Sequence, residues 1–261
     1  MKDSPASEYI ERCRELTEVV ASQIDQIKQA ADWFAASILS QRVVHLFGGG
    51  HSRIMVEEMW PRYGSFPGFN PIVELSLTYH NSVVGANGQR QAMFLETRSG
   101  LAERILRNFD LSERDSALVV SSSGSNVVPI EMAEIFQGRG LKVVAIVSRK
   151  HCEASTSKRD DGAKLPDFAD LVLDTGAPVG DAMVRVTGLE TPVSPGSTIG
   201  GCMIVNAIKA ELAERLTEAG SPPCVLTAAN VVGPERSSEL FEAAYDEHAR
   251  RLAKLFENLG K

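Results

Sequence analysis

Residues 43–52 read VVHLFGGGHS, and residues 117–133 read ALVVSSSGSNVVPIEMA. Each stretch opens with an apolar, β-branched run, passes through glycine and serine, and continues into a pattern typical of a helix. Together they predict two buried strands, each followed by a short polar loop and a helix. Strand–loop–helix units of this kind are typical of parallel α/β sheets.

The two loops contain the residue types that hold a small anion. The N-terminus of a helix has unpaired N–H groups and the positive end of the helix dipole, and hydroxyl groups add neutral donors. Glycines at 48–50 and at Gly124 let the backbone approach a ligand closely. The predicted anion-binding residues are Gly50, His51, Ser52, Ser121, Ser122, Ser123, Ser125 and Asn126. Asn126 is also expected to be the N-cap of its helix.

The alternative is that each loop is only a tight β-to-α turn, because such turns use the same residues for local geometry. This alternative is favoured for three glycines taken alone. Four serines within residues 121–125 are harder to explain by turn geometry, and the pair of loops therefore favours anion binding.

The rest of the chain predicts alternating helices and strands. Apolar residues recur every three or four positions from Ile10 to Ile38 and predict one long helix that starts near Ser4 and Pro5. Strands are predicted at 42–47, 72–75, 117–120, 143–147 and 171–173. Helices are predicted at 52–62, 90–109 with a break at Gly100, 127–137, 198–216 with Ser197 as cap, and 235–256. Ligands of parallel sheets bind at the carboxyl ends of the strands, where both loops lie.

Composition excludes several classes of protein. The 261 residues are 43% hydrophobic with a net charge of −7, which argues against nucleic acid or an anionic membrane as the main partner. Four scattered cysteines indicate reduced thiols, and the N-terminus lacks an apolar signal segment. We therefore expect a soluble, cytoplasmic protein.

Motif spacing excludes the common nucleotide and hydrolase sites. The chain has no G-x-x-x-x-G-K-[ST], its GGGHSR lacks the third glycine of G-x-G-x-x-G, and SSSGSN does not fit G-x-S-x-G. No His, Asp or Glu set has convincing metal-ligand spacing. We predict neither a metal nor an organic cofactor, and a small phosphorylated or sulfonated ligand.

Five motifs in order resemble the SIS (sugar isomerase) domain, and most of all the stand-alone bacterial phosphosugar-isomerase-like and phosphoheptose-isomerase-like proteins. The motifs are GGGHS, EEMWPRYG, SSSGSNVVPIEMA with GLKVVAIVS, LDTGAPVGDA and SPGSTIGG. The resemblance implies a flavodoxin-like three-layer α-β-α sandwich with a five-stranded parallel sheet and long N-terminal and C-terminal helices. It implies one SIS domain over 1–261, with an N-terminal helix at 1–40, an α/β core at 41–218 and a C-terminal extension and helix at 219–261. A homodimer or homotetramer with sites near the subunit interfaces is also implied.

The resemblance also implies a choice of functions. SIS proteins include aldose–ketose isomerases, sugar-phosphate lyases or etherases, deaminases and non-catalytic sensors. The isomerases move a proton between C1 and C2 through a cis-enediol, which requires a carboxylate base. By resemblance, phosphate-binding hydroxyls fall on Ser52, Ser121 and Ser123. The base falls on the Glu57–Glu58 pair, with Glu58 favoured. The pair stands one turn closer to Ser52 than in the phosphoheptose isomerases, and the alternative is a solvated helix face.

Further residues complete the predicted site. His80 is the candidate ring-opening acid or hydroxyl contact, and Glu74 and Glu96 are alternative carboxylates. Candidate contacts to the sugar are Glu74, Glu96, Asp181, Ser197 and Thr198, although Ser197 has the alternative role of helix cap. His45 and His248 are expected to be structural.

Two departures from the family pattern weaken the assignment of acid and base. His80-Asn81 stands where a His-Glu pair is common, and Arg159 in SKRDDGAK stands where a histidine is common. Lys158 and Arg159 either reach the anion or form a solvated cluster.

The leading prediction is an aldose–ketose isomerase for a phosphorylated sugar, with a C6-sulfonated sugar as a variant. A sulfonate has three similar acceptor oxygens but one charge fewer than a phosphate dianion, so neutral donors suit both. A non-catalytic sugar-phosphate sensor and a sugar-phosphate lyase or etherase are the alternatives.

Overall fold

Five short strands form one parallel sheet at the centre of the protein. The computed structural model describes residues 4–78 and 88–259. The strands are β1 (Val44–Gly48), β2 (Phe69–Ile72), β3 (Ser116–Val120), β4 (Lys142–Val147) and β5 (Leu171–Asp174). Their order is β2-β1-β3-β4-β5, and all neighbours are parallel. Two further strands, β6 (Ala182–Val184) and β7 (Val193–Pro195), form a separate antiparallel pair.

Helices cover both faces of the sheet. They are α1 (Pro5–Ala21), α2 (Ile24–Leu39), α3 (Arg53–Met59), α4 (Leu75–Thr78), α5 (Gln89–Leu95), α6 (Leu101–Leu106), α7 (Val127–Gly138), α8 (Arg149–Ala154), α9 (Ser197–Glu218), α10 (Ala229–Val232) and α11 (Pro234–Ala253). Short 3-10 turns lie at Gly50–Ser52 and Leu165–Phe168. The predicted α-β-α sandwich with a five-stranded parallel sheet is confirmed.

Alternation along the strands divides the core into two layers. Leu46, Leu118 and Ile146 belong to a cluster with apolar residues of α2, α3, α9 and α11. Val119 is adjacent to Leu118 in sequence, and Ala145 is adjacent to Ile146. Both belong to a second cluster with residues of α6 and α7. Successive strand side chains point to opposite faces, and a sheet covered on both faces therefore needs continuous apolar runs. The runs at 43–47 and 117–120 meet that need.

The N-terminal helix is broken, which corrects the prediction of one continuous helix. Helix α1 ends at Ala21 and α2 begins at Ile24. The amide of Gln23 donates to the carbonyl of Asp174 at 2.9 Å, and its oxygen accepts from the Asp174 N–H at 2.7 Å. The break places the Gln23 side chain where it can hydrogen-bond the backbone of Asp174 at the outer edge of β5. The start is as predicted, because Ser4 accepts from the N–H of Ser7 ahead of Pro5.

Other boundaries differ for local reasons. The helix predicted at 52–62 ends at Met59, because Trp60 is extended ahead of Pro61. The second strand lies three residues earlier than predicted, since Phe69 pairs with Val44 and the later residues form α4. The break at Gly100 is confirmed, where φ is +84°.

A buried polar network closes the amino-terminal end of the sheet. Asp115 accepts two hydrogen bonds of 2.8 Å from the Arg42 guanidinium and one from the Ser112 N–H at 2.9 Å. His45 Nε2 lies 3.3 Å from Asp115, and its Nδ1 lies 3.0 Å from the amide of Asn70. These donors outweigh burial and lower the pKa of Asp115 to about 2. His45 is therefore structural, as the sequence predicts.

None of the described helices is both long enough and apolar enough to cross a membrane.

Asp115→Asn is expected to destabilise the protein by about 3–5 kcal/mol, because it leaves the buried Arg42 without its charged partner. The pKa of Asp115 lies below its ordinary value of 3.8, so its contribution is complete above pH 4 and is lost as pH falls towards 2. Denaturant unfolding between pH 2.5 and 7 measures both effects. The matched control is Asp246→Asn on the exposed side of α11. Equal stability of the two variants at pH 7 would contradict the assigned role.

Candidate functional site

The first Ser/Gly loop, residues 48–52, follows β1 and turns directly into α3. A Cβ atom on Gly48 would lie 2.6 Å from the backbone oxygen of Ser52, so only glycine fits there. Gly50 has φ +54°, and the N–H of Ser52 donates to the carbonyl of Gly49 at 3.0 Å. His51 is exposed and Ser52 half-buried. The loop thus folds tightly enough to bring backbone and hydroxyl groups to the sheet edge.

The second Ser/Gly loop, residues 121–126, follows β3 and precedes α7. Gly124 has φ +58°. Ser123 Oγ accepts from the hydroxyl of Ser125 at 2.9 Å and from its N–H at 3.3 Å. Ser121 is buried, and its N–H donates to the carbonyl of Ile146. The hydroxyl of Ser122 is buried and has no hydrogen-bond partner among the described residues.

Strand register places the two loops side by side. Gly48, the last residue of β1, is paired with Val120, the last residue of β3. The chain therefore enters both loops at neighbouring points on the carboxyl edge. In parallel sheets this edge is where ligands bind.

Glu96 connects the two loops. Its Oε2 accepts from the Asn126 amide at 2.7 Å, and its backbone carbonyl accepts from the Val128 N–H at 3.0 Å. A Cβ atom on Gly49 would lie 2.2 Å from Glu96 Oε1. The carboxyl group thus contacts the first loop through Gly49 and the second through Asn126. The sequence names Glu96 only as an alternative carboxylate.

Burial sets the acidity of Glu96. Loss of solvent around the carboxyl group raises its pKa from 4.5 to about 7, and the Asn126 hydrogen bond partly opposes that rise. A carboxyl group with this pKa exchanges protons readily at neutral pH.

Asn126 occupies the N-cap position of α7 as predicted, but its side chain makes no capping hydrogen bond. Its amide donates to Glu96 instead. The Val128 N–H also donates to Glu96, and Pro129 has no N–H. Glu96 therefore takes up part of the hydrogen-bonding capacity of the first turn of α7.

The Glu57–Glu58 pair lies on α3, and its carboxylates contact a different set of residues. Glu58 pairs with Arg62 and accepts from the Asn206 amide at 2.8 Å. These partners, with Lys209, outweigh burial and lower the pKa of Glu58. Glu57 is exposed and lies 3.7 Å from Arg53. Glu58 is therefore held as an ion beside α9.

Lys209 is the buried cation of this region and donates from Nζ to the backbone carbonyl of Glu58 at 2.8 Å. Sequence analysis misses Lys209 and Asn206 because both lie inside a long helical pattern. Their spacing of three residues on one helix face is the only sequence signal that joins them.

Two predicted sugar contacts bind each other. Asp181 accepts from the N–H of Gly196 at 3.0 Å, and from the N–H and hydroxyl of Ser197 at 2.6 and 2.7 Å. Asp181 therefore accepts hydrogen bonds from backbone N–H groups at the N-terminus of α9. Ser197 is the first residue of the helix and Gly196 is its N-cap, which corrects the prediction of Ser197 as cap. Thr198 is half-buried on the same turn.

The remaining candidates bind residues of other segments or lie outside the described residues. Glu74 accepts from the N–H and hydroxyl of Ser76 at the start of α4. Arg159 pairs with Glu134 and Asp161, and the N–H of the neighbouring Lys158 donates to the Ser125 carbonyl of the second loop at 2.8 Å. His80 lies outside the described residues.

Metal ligation finds no support in the described part of the chain. Among residues 4–78 and 88–259, no group of three or more His, Cys, Asp or Glu side chains could hold a metal ion.

Comparison with known proteins adds independent findings. A match to the SIS domain family covers residues 8–148. The UPF0309 protein of Listeria innocua is 32% identical over 246 residues, which cover 94% of this chain and 96% of that protein. The UPF0309 protein of Thermoanaerobacter pseudethanolicus is 32% identical over 250 residues, covering 94% and 99%. A solved phosphoheptose isomerase from Neisseria gonorrhoeae is 15% identical with a TM-score of 0.49, covering 80% of this chain and 96% of that one.

Glu96→Gln is expected to stabilise the unliganded protein at pH 8 but not at pH 4. The folded-state pKa of Glu96 lies above its ordinary value, so ionisation penalises the folded state as pH rises from 4.5 to about 7. Removal of the charge is expected to raise the free energy of unfolding by up to about 3 kcal/mol at pH 8. Denaturant unfolding across this range measures the effect, with exposed Glu57→Gln as control. A pH dependence identical to that of the parent protein would contradict the burial of Glu96.

Proposed function

This chain belongs to the SIS domain family, and we propose that it is an aldose–ketose isomerase of a small sugar that carries a phosphate or a C6 sulfonate. The proposal rests on one observation. The two Ser/Gly loops follow neighbouring strands at the carboxyl edge of the sheet, and the Glu96 side chain contacts both loops. The loops supply neutral donors for an anion, and a carboxyl group lies beside them.

Hydroxyl geometry supports anion binding. Ser123 Oγ accepts two hydrogen bonds from Ser125, which leaves its own proton to be donated. The Ser122 hydroxyl is buried without a partner among the residues that the structure describes, and a buried unpaired hydroxyl is costly unless a ligand or water satisfies it. These hydroxyl groups, with the Ser52 side chain, are the proposed contacts to the anion.

The carboxyl group favours an isomerase over a sensor. A carboxylate beside a bound anion weakens binding by repulsion, so a protein that only binds gains nothing from it. Isomerisation through a cis-enediol requires a carboxylate base next to the sugar.

We also infer the assembly and the location of the protein. We infer a single SIS domain over 1–261 that acts in the cytoplasm as a homodimer or homotetramer, without a metal or organic cofactor. A groove of about 540 Å³ between α3 and α11 supplies surface for subunit contact. Its lining includes the apolar Ile54, Tyr63, Phe241 and Tyr245 and the charged Glu57, Glu58 and Arg62.

Proton NMR in D2O tests the reaction directly. Purified protein is mixed with C6-phosphorylated and C6-sulfonated aldoses and ketoses, and solvent deuterium at C2 is followed together with ketose formation. We expect both signals with at least one sugar. Thermal stabilisation by a sugar without exchange would support the sensor, and release of a C3 substituent would support a lyase or etherase.

Ser123→Ala is expected to weaken binding of that sugar about 10- to 100-fold, because one hydrogen bond to a charged group is lost. Titration calorimetry measures the dissociation constant. The matched control is Ser40→Ala, since Ser40 donates to Ser37 at the end of α2 and away from both loops. Unchanged affinity in Ser123→Ala would remove Ser123 from the anion site.

A further inference from the structure

We propose that Glu96 transfers the proton between C1 and C2 of the sugar, and that Asn126 and Gly49 are its positioning residues. This inference rests on the proposed function and replaces Glu58, the base implied by resemblance.

The Glu96 carboxyl group contacts both Ser/Gly loops. Glu96 Oε1 lies against Gly49 of the first loop, and Oε2 is bound by Asn126 at the end of the second. An anion that engages both loops brings the attached sugar to the same edge of the sheet as this carboxyl group. Glu58 instead contacts Arg62 and Asn206 on the α3–α9 side.

Hydrogen bonds hold both the side chain and the backbone of Glu96. The Asn126 amide donates to Oε2, and the Val128 N–H holds the Glu96 backbone carbonyl. Oε2 is thereby fixed by Asn126, and Oε1, which lies against Gly49 of the first loop, is the oxygen proposed to face the substrate. Gly49 is required for this arrangement because a Cβ atom there would overlap Oε1.

The acidity of Glu96 differs from that of Glu58. Burial raises the pKa of Glu96 to about 7, close to the working pH of a cytoplasmic base, whereas the partners of Glu58 lower its pKa. Among the described residues, the elements next to Glu96 carry His51 on the Gly50–Ser52 turn, Glu74 beside α4, Arg90 on α5, and Glu131 and Glu134 on α7. Glu131 is bound by the Ser99 hydroxyl and the Gly100 N–H.

The proposed step balances without a co-reactant. The Glu96 carboxylate takes the proton from C2 of the open-chain aldose, the C1–C2 double bond forms, and O1 gains a proton to give the cis-enediol. Glu96 then returns its proton to C1 while O2 loses one, which gives the ketose. Carbon is oxidised at C2 and reduced at C1 within one molecule, and the proton moving from O2 to O1 passes through solvent.

Three glutamine variants test the assignment. Glu96→Gln is expected to lower kcat and C2 deuterium exchange by about 10²- to 10⁴-fold while sugar affinity is kept or improved. Glu58→Gln and Glu57→Gln are expected to lower kcat and C2 deuterium exchange far less than Glu96→Gln does. Normal exchange in Glu96→Gln, or a larger loss in Glu58→Gln, would overturn the inference and leave the proposed function standing. Binding without exchange in the parent protein would overturn both.

Asn126→Ala separates positioning from general support of the fold. Its hydrogen bond lowers the pKa of Glu96, so its removal shifts the acid limb of the kcat–pH profile to higher pH. A lower kcat with an unshifted acid limb would indicate a structural role only.

Gly49→Ala supplies a second positional test. Gly49 has φ −89°, which alanine adopts freely, and the overlapping atom is the movable end of Glu96. The variant is expected to keep its melting temperature while kcat falls at least tenfold. Gly138→Ala, with no atom within 4 Å of the added Cβ, is the matched control. Unchanged kcat in a folded Gly49→Ala would contradict the proposed position of Glu96.

Discussion

The parallel pairing of β1 with β3 is the constraint on which the rest of the site depends. Because Gly48 and Val120 end their strands opposite each other, two loops far apart in sequence begin at neighbouring points. Glu96, on the segment between β1 and β3, can then contact both. A slip of one residue in this register would turn the strand side chains to the opposite faces and separate the loops.

Much of the fold is readable from local sequence. Apolar runs predict four of the five strands closely, and Gly100 marks a break that the left-handed backbone requires. Strand β2 is misplaced by three residues because its position is fixed by pairing: Phe69 meets Val44, and Asn70 meets the buried His45. Such pairing joins residues about 25 positions apart and leaves no local pattern.

The site was harder to predict than the fold. Serines and glycines identify both loops from composition alone. The partner of Asn126 cannot be read from sequence, because asparagine at an N-cap position ordinarily binds its own helix, and here it binds Glu96, 30 residues away. The opposite pKa shifts of Glu96 and Glu58 likewise arise from tertiary contacts, since both glutamates lie in helical patterns rich in polar residues.

The short gap between α1 and α2 has a consequence for the whole molecule. Strand β5 is an outer strand of the sheet, and the unpaired backbone groups of an exposed outer strand can recruit a strand from another molecule. The Gln23 side chain occupies both the N–H and the carbonyl of Asp174, as a neighbouring strand would. One amide side chain thus blocks this end of β5 against the addition of a further strand and protects the protein from aggregation along that edge.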